Sequence, residues 1–112
     1  MNYKLYKSYN LIHKVYDYKS KSVATRIFQT IRRYSSYKYS HLQYPNLQSV
    51  MFDIFNDEYH EDYDNLLLDI IYNAPLTELS KMRGFGKSGL YIINTIRKEN
   101  KEWIIYWKLM NH

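Results

Sequence analysis

The chain has 112 residues and no cysteine, with sixteen Lys and Arg against eleven Asp and Glu for a net charge of +5. That length suits one domain with a modest core, and the missing thiols exclude a disulfide framework, a thiolate zinc site and a cysteine nucleophile. No apolar run reaches membrane-spanning length, since Leu66-Leu67-Leu68-Asp69-Ile70-Ile71 is short and broken by an acid.

The chain reads as helical throughout. Residues 3–17 predict a first helix, with Leu5, Tyr9, Ile12 and Tyr16 in the 4-3-4 spacing of a buried stripe. Ser22 can cap a second helix, with Val23, Ile27, Ile31 and Tyr34 on one face and Arg26, Arg32 and Arg33 mostly on the other. The polar stretch 35–46 reads as a loop in which Tyr37 and Tyr39 are candidates for exposed contacts. Asn46 caps a third helix through Phe55, and Asp57 to Asp62 form an acidic connector. A fourth helix runs from Asp62 or Asp64 to Tyr72, and Pro75 opens the first turn of a short helix carrying Leu76, Leu79 and Met82. The tail from Trp103 to Met110 either extends the last helix or folds back as a strand. Trp103 and Trp107 are four apart, on one helical face, and read as core anchors rather than as a partner patch.

All three glycines sit within six residues, in Met82-Arg83-Gly84-Phe85-Gly86-Lys87-Ser88-Gly89-Leu90. Glycine admits positive φ and close backbone approach, so the chain has a special backbone requirement here. Gly84-x-Gly86-x-x-Gly89 matches the dinucleotide fingerprint in letters, but that motif needs a preceding strand and a following βαβ unit, and the flanks here are helical. Gly86-Lys87-Ser88 is half of a phosphate-binding P-loop, with Lys81 where the first glycine must stand. The pattern that fits is helix, tight glycine hairpin, helix, which offers backbone N–H groups at a helix start to a phosphate.

From Leu79 to Ile93 the chain resembles a helix-hairpin-helix motif. It is also similar to the end of the C-terminal domain of the bacterial RNA polymerase alpha subunit, which carries a variant of that motif. With the apolar helix Leu66–Asn73 the likeness covers roughly a third of the chain. It implies that the hairpin and the start of the following helix hold DNA phosphates without reading sequence. Those roles fall on the N–H groups of Gly84, Gly86, Lys87 and Ser88 and on the Lys87 side chain, beside Lys81 and Arg83. Two positions depart from the pattern. Arg83 replaces the usual proline or small residue, and Gly89 replaces a helix former, which should soften the last helix by about 1 kcal/mol relative to Ala. The plainer alternative is a structural turn with Lys87 as a solvated first-turn residue.

Charge falls in three blocks. Residues 1–44 hold nine Lys and Arg against Asp17 alone, residues 45–78 hold eight acids and no Lys or Arg, and residues 79–112 hold seven Lys and Arg against Glu99 and Glu102. The basic blocks can converge on nucleic acid, with Arg26, Arg32, Arg33 and Lys38 extending the hairpin's footprint, or the blocks can neutralise one another on folding. Many tyrosines interleave with the N-terminal cations, a composition that suits base stacking and core building alike. Asp57, Glu58, His60, Glu61, Asp62 and Asp64 carry metal-capable side chains, with Asp57, Glu58 and Asp62 as candidates for a metal-dependent nuclease, but the stretch lacks a calcium-loop order; His13, His41 and His112 are isolated.

The expectation is therefore a mainly α, compact domain of five to six helices with a C-terminal helix-hairpin-helix-like unit at 76–100. Residues 1–44 form a basic, Tyr-rich helical segment and 45–112 the helical remainder, joined as one structural unit. The expected function is non-enzymatic nucleic-acid binding, with double-stranded DNA favoured and neither cofactor nor metal. The alternative is a regulator or inhibitor docking on a host transcription or defence complex. No apolar leader opens the chain, so a cytoplasmic, membrane-free protein is expected. Abundant Lys and Asn with scarce Ala, Gly and Pro point to an AT-rich phage or mobile-element source.

Overall fold

In a computed structural model of the chain, residues 5–15, 21–39 and 59–99 are described. They form five α-helices and no strand: α1 Lys7–Val15, α2 Lys21–Tyr39, α3 Glu61–Asn73, α4 Leu76–Leu79 and α5 Gly86–Glu99. The predicted helix 46–55, the acids Asp57 and Glu58, and the Trp103–Met110 tail lie outside the described residues. One hydrophobic core joins both halves of the chain. Ile12 of α1 and Ile27, Phe28 and Ile31 of α2 meet Leu67, Ile70 and Ile71 of α3 and Ile92, Ile93 and Ile96 of α5. Among the described residues, no helix is long and apolar enough to cross a membrane.

The first helix starts later than its apolar stripe suggests. Leu5 precedes α1 and is 65% exposed, while Tyr6, Ser8 and Ile12 turn inward. Three polar groups at the start of that helix find a partner far away in sequence. The buried Asp64 carboxylate accepts from Lys7 N (2.8 Å), Ser8 N (3.0 Å), Ser8 Oγ (2.6 Å) and the Tyr59 hydroxyl (2.9 Å). A carboxylate of α3 thus caps α1, satisfying N–H groups that no helix can bond internally. The cap is reciprocal: Tyr6 Oη accepts from His60 N at 3.2 Å, at the start of α3. Partial burial of Tyr59, then its bond to Asp64, push its pKa up to about 12, so this hydroxyl keeps its proton and remains a donor. The other end of α3 is closed by Arg97 of α5, which donates from Nε to Ile71 O (2.9 Å) and from Nη2 to Ala74 O (2.7 Å). A cation over the last carbonyls also complements the helix dipole.

The second helix corrects two expectations. It begins at Lys21, so Ser22 is inside it rather than its cap, and it continues through Tyr39 across residues expected to form a loop. Ser35 shows why the polar run stays helical. Its Oγ donates back to Arg32 O (2.6 Å) and meets Tyr63 Oη (3.0 Å) inside the core, while Tyr39 packs on the core's edge. Tertiary partners override the weak helix preference of Ser and Tyr here. Tyr37, by contrast, stands 76% exposed.

Candidate nucleic-acid interface

The hairpin is built by short bonds rather than by a long first helix. Pro75 O accepts from Glu78 N and Leu79 N, and α4 ends at Leu79. Lys81 N and Met82 N then bond Glu78 O and Leu79 O, so Met82 packs on the core from a turn, beyond the helix its spacing suggested. Phe85 N donates to Met82 O (3.2 Å), and Gly89 N to Phe85 O (2.8 Å), which launches α5. The backbone N–H groups of Gly86, Lys87 and Ser88 precede that first helical bond. Among the described residues none accepts from them, or from Gly84 N–H.

The three glycines serve three different ends. Gly84 has φ +91°, and a Cβ there would stand 3.1 Å from Thr30 Oγ1 and 3.2 Å from Arg33 Nη2, so it seats the hairpin on α2. Gly86 has φ +54° with nothing within 4 Å of a Cβ position, so its outer side is open. Gly89 is buried, and a Cβ would come within 2.5–2.8 Å of the Phe85 ring. The expected softening of α5 at Gly89 is therefore the condition for seating Phe85, which is fully buried.

The seat on α2 brings distant cations together. Arg33 Nη2 donates to Arg83 O at 2.6 Å and to Thr30 Oγ1 at 3.0 Å, while Thr30 Oγ1 donates to Arg26 O at 2.9 Å. Arg26 Cγ lies 3.8 Å from the Gly84 Cβ position. Arg26 and Arg33 thus flank the turn that carries Lys81, Arg83 and Lys87, all five being exposed. Among the described residues no acid is ion-paired with any of the five. Thr30 went unnoticed in sequence, although it stands four after Arg26 and three before Arg33 on the same helical face.

Two expected members of the footprint are elsewhere. Arg32 is only 5% exposed and donates from Nη1 to Gln29 Oε1 (3.0 Å), because it shares an inward stripe with Phe28 and Ser35. Lys38 reaches Glu78 Oε1 at 2.8 Å, a pairing that lifts the lysine's pKa and lowers the carboxyl's. The block-neutralising reading of the charge pattern applies at that contact. Ser88 is half-buried beside Lys87. Asp62 is exposed and Asp64 is consumed as a cap; among the described residues no group of acids and histidines could hold a metal ion. No family model, no curated protein and no solved structure matches the chain.

Proposed function

We propose that this chain is a small, non-enzymatic, cytoplasmic nucleic-acid-binding protein that grips the phosphate backbone without reading base sequence. The grip consists of the Gly86–Ser88 N–H groups with Arg83 and Lys87 of the hairpin, and Arg26 and Arg33 of α2. The observation that carries this reading is the convergence of cations from two segments some fifty residues apart on one turn with an open outer side. A turn needed only to reverse the chain has no use for five exposed cations without an ion-pair partner beside N–H donors that meet no acceptor among the described residues. Anions favour such helix starts, and contacts to phosphate release condensed counterions. Duplex DNA is the ligand the hairpin resemblance implies, and its backbone chemistry is shared with a single strand.

The test is a titration of labelled double- and single-stranded DNA at several salt concentrations, with a double variant Arg83→Glu, Lys87→Glu whose helicity is checked first. Both side chains are exposed, so the variant keeps its fold. Wild type is expected to bind with a steep negative salt slope, and the variant to lose affinity at least tenfold with a shallower slope. Binding of neither DNA by wild type sinks the proposal, makes the glycines a structural turn, and directs the search to an acidic protein partner.

A further inference from the structure

The face of α5 beyond the hairpin is unlike an ordinary solvated face. Its buried side is Gly89, Ile92, Ile93 and Ile96. Opposite lies an exposed line at 4-3-4 spacing, Lys87, Tyr91, Asn94 and Lys98. Leu90, also exposed, sits beside Tyr91. The line begins at the proposed phosphate grip and spans about 16 Å at the helical rise. It carries no acid; Glu99 closes the last turn one position beyond it. Tyr91 is 59% exposed one turn after Lys87. It is held on a regular helix, with Thr95 Oγ1 donating to its carbonyl at 2.7 Å.

We infer that this line is a track for single-stranded nucleic acid, with Tyr91 stacking on an unpaired base while Lys87 and Lys98 meet phosphates on either side. The inference rests on the phosphate grip proposed above and names the strandedness of its ligand. Charge complementarity sets the class of partner: cations at both ends, a polar Asn94 between, and an aromatic ring in the middle. The ring decides the strandedness. A duplex hides base faces inside its stack and offers a protein only edges and backbone. An exposed tyrosine gains by stacking only where a base is unpaired, and it does so with every base alike. A sequence-tolerant grip and a sequence-tolerant platform on the same helix describe one ligand.

The experiment measures anisotropy of a labelled single strand of mixed sequence and of a duplex of equal length, against wild type, Tyr91→Ala, Tyr91→Phe and Lys87→Glu. Tyr91→Ala is expected to weaken single-strand binding about tenfold and leave the duplex unchanged. Tyr91→Phe is expected to retain wild-type affinity, and Lys87→Glu to weaken both ligands. If Tyr91→Ala alters neither ligand, or both equally, while Lys87→Glu still weakens both, the platform is overturned and the grip stands. If Tyr91→Phe loses as much as Tyr91→Ala, the hydroxyl and not the ring makes the contact, and stacking is overturned. If wild type binds neither DNA, the grip itself fails and takes this inference with it.

Discussion

Two helix starts in this molecule pose the same electrostatic problem and receive opposite answers. At α1, the N–H groups of Lys7 and Ser8 point at the buried Asp64 carboxylate, which also takes the hydroxyls of Ser8 and Tyr59. At α5, the N–H groups of Gly86, Lys87 and Ser88 meet no acceptor among the described residues, no acid stands in the first turn, and cations gather instead. The chain holds eleven Asp and Glu, so it had carboxylates to place there. It closes one helix start with its own anion and leaves the other facing outward, ringed by positive charge. The first end serves stability, and under the proposed function the second receives an anion supplied from outside.

The largest effect should follow from emptying the closed end. Asp64→Ala removes the acceptor for two helix N–H groups and two hydroxyls in a dry setting, an expected loss of about 3 kcal/mol in chemical denaturation. The folded fraction should bind DNA as wild type does, because Asp64 faces α1 and not the hairpin. A stability change under about 1 kcal/mol would mean that water replaces the carboxylate, and the contrast between the two helix starts would collapse.

A middle-sized effect separates the hairpin glycines. Gly84→Ala forces a side chain to φ +91°, outside the ordinary left-handed region, and presses it on Thr30 and Arg33. Gly86→Ala faces open space at φ +54°, and only the left-handed penalty of about 1 kcal/mol applies. The expected order is about 2 kcal/mol for Gly84→Ala and about 1 kcal/mol for Gly86→Ala. Thermal denaturation of the two variants reads it directly. Equal losses would mean that the hairpin is not seated on α2 and that the five cations do not share one surface.

Residue spacing carried much of this fold. The fourth expected helix, from Asp62 or Asp64 to Tyr72, lies inside α3, Glu61–Asn73, and the clustered glycines mark the turn between α4 and α5. Asp64 was legible in principle: it stands three before Leu67 and seven before Ile71, on an apolar face where a carboxylate must find donors. Ser8, four before Ile12, carries the same signal. Counting acids along the chain hides Asp64, because a run of Asp and Glu looks solvated wherever its members point, and a lone serine among tyrosines and lysines hides Ser8. Arg32 was misplaced for the converse reason, since a cation among cations looks exposed until its neighbours Phe28 and Ser35 turn it inward. The seating of Gly84 on Thr30 and the Phe85 ring over Gly89 leave no trace in spacing. They depend on how two elements approach each other, which no single segment encodes.

The smallest effect concerns Lys38, whose charge the pairing with Glu78 removes from the proposed grip. Its ammonium is held by Glu78, and the hydrogen bond and charge of that lysine, followed by the Tyr34 hydroxyl and the charge of Lys81, lower the Glu78 carboxyl. A lowered carboxyl contributes stability above the ordinary glutamate range and loses it as pH falls through the lowered value. Both side chains are exposed, so that contribution is small and salt-screened. The sharper readout is binding. Lys38→Met should leave DNA affinity and its salt slope nearly unchanged at neutral pH, whereas Lys87→Met should reduce both. Glu78→Gln should free Lys38 and steepen the slope slightly if Lys38 lies within reach of the bound phosphates. If Lys38→Met costs as much as Lys87→Met, the ligand outcompetes Glu78, and the boundary between neutralised and open cations moves from α4 to the end of α2.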